Sequence, residues 1–487
     1  MVIRFKFLTF GVLLMQLVFG LSSCAQTEKP ASESTLQAYF NQWVQQPNLT
    51  SASIGILVKN ELGEIVLEHN SNTSLVPAST QKLLTTASAL EQLGPKFRFE
   101  TILAYKGELN EDGVLKGDLI IQAGGDPTLG SDRFGGIEAL GKSWLSVLKA
   151  NGIQSIAGKL LIENTVFPKY LTPRTWIWED IGNYYGATPA GFSFHDNYYQ
   201  MVLRSPNETG ALCEVVKTTP TMDHLTFDCQ VTAAANNSDN AYIFGGEGSE
   251  LRYIKGTIPK GRSTFSIKGS MDNPELVAQK WLSNYFTQNG VEVVGNEFQA
   301  ATTTTVFHSH KSPELSQMIQ LTNKYSINLY AEHFALWLNE NRGEKLTVEL
   351  GAQSVKESIG KMGIETKGMF LVDGSGMSRF NAVTPNQIVE LLGYMRAAEN
   401  AEIFINSLSV AGESGTLRSM FSGSTAAGKI KAKSGYMERV RSYAGYIETL
   451  KGEKMTFCII VNNYEGSAAE TKYQIKKLLE RIVAHTK

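Results

Sequence analysis

The stretch "VPASTQKLLTTASALEQLGP", residues 76–95, decides how the rest of the chain is read. Its residue pattern predicts a helix that opens on Ser79, carries Lys82 one turn further on, and stops at Gly94–Pro95. A helix N-terminus offers unpaired N–H groups and the positive end of the peptide dipoles, both useful to a developing anion. A spacing of three puts the Lys82 amine on the same face as the Ser79 hydroxyl. Two readings fit that placement: a capping serine followed by a solvated lysine, or a nucleophile with its base beside it. Ser-x-x-Lys also occurs at Ser146/Lys149 and Ser358/Lys361. Those two lie inside ordinary amphipathic helices, where Ser and Lys are surface filler.

Upstream, "TLQAYFNQWVQQ" sets Leu36, Tyr39, Phe40, Trp43 and Val44 on one helical face, and "ASIGILVKN" and "EIVLEHN" read as strands. At the far end, "GKIKAKSGYM", "RSYAGYIETL" and "MTFCIIVNN" read as three more strands, followed by an amphipathic helix. Short connections favour antiparallel neighbours, so the two ends are expected to combine into one five-stranded antiparallel sheet with helices on its faces. The class is α+β. Between the ends, residues 96–305 are mostly strand-like, with recurring Gly-rich turns and one clear helix in "GGIEALGKSWLSVLKANG". They are read as an inserted β-rich region of one or two domains. Helical periodicity returns afterwards, as in "NLYAEHFALWLNE" and in "TPNQIVELLGYMRAA", where Thr384 caps and Pro385 takes the first helical position.

The bulk numbers suit a multi-domain globular protein: 487 residues, 42% apolar and 19% charged. Lys and Arg number 45 against 47 Asp and Glu, a net charge of −2, with no basic run that asks for nucleic acid. Residues 1–23 carry two early cations and then an apolar run too short for a good membrane span, which reads as a signal peptide. The run ends in "LSSC", similar to a lipobox, with lipid expected on Cys24 and residues 24–34 as a polar tether. Cys213 and Cys229 sit at equal distances from Thr221 between two β-rich runs, so simple hairpin pairing predicts a disulfide. Cys458, in an apolar run, reads as a buried thiol.

Two further motifs bear on Ser79. Lys433-Ser434-Gly435 lies on a predicted strand; a cation and a hydroxyl beside a backbone edge suit a substrate carboxylate and an added peptide strand. A solvated strand end is the plainer alternative. Ser-x-Asn occurs three times, at Ser205/Asn207, Ser238/Asn240 and Ser326/Asn328. The middle one is spelled "SDN" but falls in a loop of the β-rich insert; the third lies between two helices outside it.

With these motifs, the ordered elements "PASTQK", "GDLIIQAGGDPTL", "WIWEDIGNYYGA", "TNKYSINLYAEHF", "VDGSGMSRFN", "SLSVAGESGTL" and "AKSGYMERVRSYAGY" resemble the class C low-molecular-mass penicillin-binding proteins, D-alanyl-D-alanine carboxypeptidases/endopeptidases. The resemblance runs nearly end to end after the tether. It departs at Ser434, where the family usually has Thr, and Ile327 inside Ser-x-Asn has no evident chemical role. It implies a transpeptidase-like domain, residues 35–95 and 306–487, interrupted by two inserted domains within 96–305. It selects Ser326 and Asn328 over Ser238. It implies that Ser79 attacks a carbonyl between two D-alanines of a peptidoglycan stem peptide, with Lys82 as base. No His–Asp pair or GxSxG elbow offers an alternative base. Burial and Lys433 would lower the Lys82 pKa. The N–H groups of Ser79 and Tyr436 would hold the oxyanion. Ser326 would pass the proton onward, Asn328 would orient Lys82 and the substrate amide, and Lys433 and Ser434, beside Gly435, would bind the terminal carboxylate.

In "WIWEDIGNYYGA" the resemblance points to Asp180 as the reader of the amine end of the substrate's third-residue side chain, set among Trp176, Trp178 and Tyr184. A helix-capping turn Asp is the alternative there. "GDP" at 125–127 and "DGSG" at 373–376 read as turn chemistry. His308 and His310 lack zinc-site spacing, and neither metal nor cofactor is expected. The expected partners are stem peptides, β-lactam inhibitors and a membrane touched only through lipid, in an exported, periplasmic protein. Rival functions are a β-lactamase on the same Ser/Lys elements and a catalytically silent peptidoglycan-binding lipoprotein.

Overall fold

Residues from both ends of the chain meet in one antiparallel sheet. In the computed structural model, which describes residues 35–298, 303–340, 343 and 345–485, its strand order is Ser409–Val410, Ile430–Met437, Val440–Glu448, Lys454–Asn462, Ser53–Asn60, Ile65–His69. The expected leader, tether and Cys24 lie outside the described residues. The sheet has six strands rather than five. The addition is the two-residue edge strand Ser409–Val410, too short to show an alternating pattern in sequence.

Alternation along the central strands builds two cores. Ile56, Val58, Phe457 and Ile459 face the helices Thr35–Trp43 and Ala468–Val483. Leu57, Cys458 and Ile460 face a larger group of helices centred on Lys82–Leu93. That helix is buried continuously from Lys82 to Leu90, so it is an axial element of the domain and not an amphipathic surface helix.

The insert leaves and returns as a neighbouring pair: Glu100–Leu109 pairs antiparallel with Thr304–Lys311. The expected boundary at 305/306 therefore falls inside a strand that belongs to the insert's sheet. That sheet also holds Val114–Gln122 and carries the helices Gly136–Ala150 and Pro274–Gln288. Nested within it are two three-stranded sheets, one of Tyr198–Arg204, Glu214–Thr219 and Phe265–Ser270, the other of Thr226–Ala234, Tyr242–Phe244 and Leu251–Pro259. A single apolar cluster, from Leu103 through Trp144 and Tyr199 to Val291, runs through all of these pieces.

The disulfide expected between Cys213 and Cys229 is not formed; both thiols are free. Leu212 pairs with Thr232, and Cys213 N–H donates to Val231 O at 2.8 Å. The pairing is thus centred one residue beyond Thr221, which slips the register by two and puts Val231 opposite Cys213. The flanking strands also join different sheets.

Candidate active site

Ser79 lies in a short 3₁₀ turn, Ala78–Gln81, that runs directly into the helix beginning at Lys82. Its side chain caps nothing. Ala78 holds a left-handed φ of 48°, a costly conformation for a residue with a Cβ and one that concentrates at functional turns. Two glycines let the surrounding backbone close on this turn. A Cβ at Gly376 would meet Ala78 O at 2.1 Å, and one at Gly435 would meet Ser442 Oγ at 2.1 Å and Ser79 N at 3.0 Å. The Ile430–Met437 strand and the DGSG turn therefore press on the Ser79 turn from different sides. The Ser442 hydroxyl donates to Pro77 O at 2.5 Å, and Asn462 brackets Val76 through both its amide N–H and its carbonyl.

Lys82 has no solvent exposure. Its Nζ lies 3.0 Å from Ser79 Oγ, 2.6 Å from Asn328 Oδ1 and 2.7 Å from the Ser375 carbonyl. Burial pushes its pKa down to about 7, against the opposing pull of Glu332 and Asp373. Lys433 is equally buried; its Nζ donates to Ser326 Oγ at 2.9 Å and to Ser434 O at 2.7 Å. Burial, and then the charge of Lys82, push it well below the usual lysine range. Ser326 holds a left-handed φ of 62° at the end of the helix Leu315–Tyr325, and Asn328 opens the next helix. The Asn328 amide donates to Tyr185 O at 2.7 Å, so the insert clamps a residue that touches Lys82. The Ser434 hydroxyl donates to Thr416 Oγ1 at 2.8 Å.

Ser79, Ser326, Asn328, Ser434, Tyr436 and Asp180 all line one cleft of about 850 Å³, walled on one side by the insert. The pairing of Ser409–Val410 reaches only Lys431 and Ala432, so among the described residues the strand from Lys433 onward has no strand partner on that edge. Asp180 is hydrogen-bonded to the Tyr185 hydroxyl; burial raises its carboxyl pKa, and that bond opposes the rise. Tyr184 shares the cleft, and Trp178 is exposed. Trp176 is turned away from Asp180: its indole N–H donates to Asp373 Oδ2 at 2.9 Å. Ser238 lies in an exposed loop, where its N–H donates to Asn236 Oδ1, and it is not among the hydrogen-bond partners of either lysine in the described residues.

The DGSG segment does more than turn the chain. Asp373 is fully buried and accepts from Gly376 N, Ser378 N, the Asn381 amide and Trp176. Glu332, also fully buried, accepts the N–H groups of Gly374 and Ser375 at 2.8 Å each. Burial and then Asp373 raise the Glu332 pKa. These two carboxylates hold the turn that offers the Ser375 carbonyl to Lys82. Glu332 sits within "NLYAEHFALW", one helical turn after Asn328, but an acid inside an apolar helical run gave no indication of its partner.

A serine hydroxyl beside a buried lysine of near-neutral pKa, with an unpaired strand edge nearby, suits an active-serine enzyme. Comparison with known proteins supplies the family. The chain belongs to the D-Ala-D-Ala carboxypeptidase 3 (S13) family, whose pattern matches residues 36–483, and it is a low-molecular-mass class C penicillin-binding protein. It is 28% identical over 475 residues to a D-alanyl-D-alanine carboxypeptidase of Actinomadura sp. (strain R39), covering 94% of this chain and 86% of that protein. It is 26% identical over 437 residues to the D-alanyl-D-alanine carboxypeptidase DacB of Haemophilus influenzae, covering 88% and 89%. The crystal structure of penicillin-binding protein 4 from H. influenzae shares the fold, with a TM-score of 0.76 at 24% identity over 91% of this chain and 99% of that one.

Proposed function

We propose that Ser79 is the acylated nucleophile and Lys82 its base. The enzyme is a serine-type D-Ala-D-Ala carboxypeptidase of the S13 family. The observation that carries the assignment of roles is the 3.0 Å contact between Ser79 Oγ and a fully buried Lys82 whose pKa lies near 7. A neutral amine takes the Ser79 proton as Oγ bonds to the carbonyl carbon of the penultimate D-alanine. The oxyanion forms toward the N–H groups of Ser79 and Tyr436; the close approach of Gly435 to Ser79 N supports this pairing. As the C–N bond breaks, the proton leaves through Ser326 to the departing amine. Lys433, Ser434 and Thr416 hold the terminal carboxylate, which restores charge to Lys433. Water then attacks the ester, its proton returns through Lys82 to Ser79 Oγ, and the shortened peptide is released.

Asp180, raised by burial and open to the cleft beside Tyr184, suits the ammonium of the stem peptide's third residue. The peptidoglycan substrate places the enzyme outside the cytoplasm, and β-lactams would acylate the same serine. The "LSSC" element supports a lipid anchor on Cys24; fatty-acid labelling lost in Cys24→Ala tests it. No helix among the described residues is long and apolar enough to cross a membrane.

Mass spectrometry after penicillin treatment tests the assignment of roles. One adduct is expected on the peptide that contains Ser79, and none in Ser79→Ala. An adduct on Ser146 or Ser358 overturns it. Digestion of purified crosslinked muropeptides, with products resolved by mass, separates carboxypeptidase from endopeptidase action. A bound penicillin shed within seconds would instead favour a β-lactamase.

A further inference from the structure

Asn328 touches Lys82, and its own amide has to be held the right way round. Its Oδ1 lies 2.6 Å from Lys82 Nζ. On the other side its amide N–H groups meet two acceptors, the Tyr185 carbonyl at 2.7 Å and the Met377 sulfur at 3.4 Å. A carbonyl and a thioether can only accept. An amide turned end for end would set its oxygen against both of them. The pair therefore keeps the amide nitrogen on their side and Oδ1 on Lys82.

Met377 is itself firmly placed. Asp373 accepts from the N–H groups on either side of it, Gly376 N at 2.8 Å and Ser378 N at 2.6 Å. The Met377 side chain lines the same cleft as Ser79 and is 9% exposed, whereas Met318, Met369 and Met395 are fully buried. Met437 also lines the cleft, on the strand that carries Tyr436. Among the described residues Asn328 hydrogen-bonds to Met377 and not to Met437. A polarisable sulfur thus faces the cleft at the one point where it also touches the residue that holds Lys82.

We propose that Met377 is a positioning residue for Asn328, and the site at which a hydroperoxide turns the enzyme off. The sulfur lone pair takes one oxygen of hydrogen peroxide as the O–O bond breaks. That oxygen's proton passes to the departing hydroxide, leaving a sulfoxide and one water. The sulfur is oxidised by two electrons, and the peroxide is reduced by two. A weak acceptor has become a polar one that projects an extra oxygen. The new oxygen draws the Asn328 amide away from the Tyr185 carbonyl, and Oδ1 turns off Lys82. The inference rests on the reading of Lys82 as the base of an acyl-enzyme mechanism and adds to it a reversible off state.

The test treats the native enzyme with hydrogen peroxide. It follows sulfoxide at each methionine by peptide mass, the rate of penicillin acylation of Ser79, and the pH profile of that rate. Acylation is expected to fall in step with the sulfoxide fraction at Met377, about tenfold at full oxidation. It should return when methionine sulfoxide reductases for both epimers are added. Accepting from Lys82 favours the charged amine, so an Asn328 turned away should move the inflection to lower pH. Met377→Leu keeps the volume but lacks the sulfur. It should lose about threefold before treatment, as a weak acceptor is removed, and nothing further under peroxide. Oxidation of the free thiols Cys213 and Cys229 is common to both proteins, so a difference between them reports on Met377. An equal peroxide loss in Met377→Leu overturns the proposal. So does full sulfoxide with unchanged acylation, or a Met377 that stays reduced while Met437 oxidises. A lower rate with an unmoved inflection overturns it too, because the added oxygen would then merely obstruct the cleft. Untreated wild type without a Ser79 adduct brings down the acyl-enzyme reading itself, a result distinct from normal labelling that peroxide leaves untouched.

Discussion

Lys82 and Lys433 are both fully buried behind residues that line the cleft, yet the ground behind them differs. Behind Lys82 stand two buried carboxylates, Glu332 and Asp373, which pull its pKa back up and leave it near 7. Among the described residues Lys433 has no such backing: its Nζ donates to the Ser326 hydroxyl and the Ser434 carbonyl, and Lys82 adds to the effect of burial. One pocket is tuned so that a proton can come and go near neutral pH. The other is a site for a cation that lacks its counter-ion, and the substrate carboxylate supplies one. On the proposed roles, two lysines of equal burial serve opposite ends of the reaction, base and anion receptor.

The sharpest way to break that contrast is to replace each lysine with arginine. Arginine keeps the charge but cannot give up its proton. Lys82→Arg is expected to slow penicillin acylation by about 10³-fold, within the range that general-base catalysis supplies. Ser326→Ala, which removes the hydroxyl that touches Lys433, should follow at about 10²-fold by the same measurement. Lys433→Arg should lose only about tenfold, chiefly in KM for a D-Ala-D-Ala peptide, because an anion receptor needs charge and not exchange. Equal losses in the two arginine variants would mean that the lysines share one role.

A smaller effect lies in the pH profile. Below about 7 the Lys82 amine is protonated and cannot accept, so acylation should rise with pH through that value. Glu332 raises the Lys82 pKa, so Glu332→Gln should move the inflection to lower pH. An upward shift would remove Glu332 from this pocket's electrostatics. Smallest of all, Ser238→Ala should leave acylation unchanged, since Ser238 is exposed and hydrogen-bonds to neither lysine among the described residues.

The catalytic sheet could be read from the ends of the chain because its strands alternate and its turns are short. The Ser79 and Lys433 elements stood out by position, whereas the Ser326 element needed the resemblance to separate it from "SDN" at Ser238. What stayed hidden depends on long-range contact. Glu332 and Asp373 are ordinary in sequence, an acid in an apolar helix and a turn residue; only packing shows that they frame one lysine. Trp176 sits among aromatics four residues before Asp180, but its indole serves Asp373. The cysteine pairing failed on a register slip that no local pattern records. The edge strand at Ser409 was too short to register at all.

The antiparallel pairing of Glu100–Leu109 with Thr304–Lys311 has a consequence for how the molecule is assembled. Everything between those strands departs and comes back at one doorway, so it can fold on itself as soon as it has been made. The catalytic sheet cannot: Ile56 must wait for Ile459, near the other end of the chain. A chain still being delivered therefore holds a finished insert on an unfinished hydrolase. Ser79 has Lys82 beside it from the start, but it meets the strand of Lys433 only after the last strands have docked.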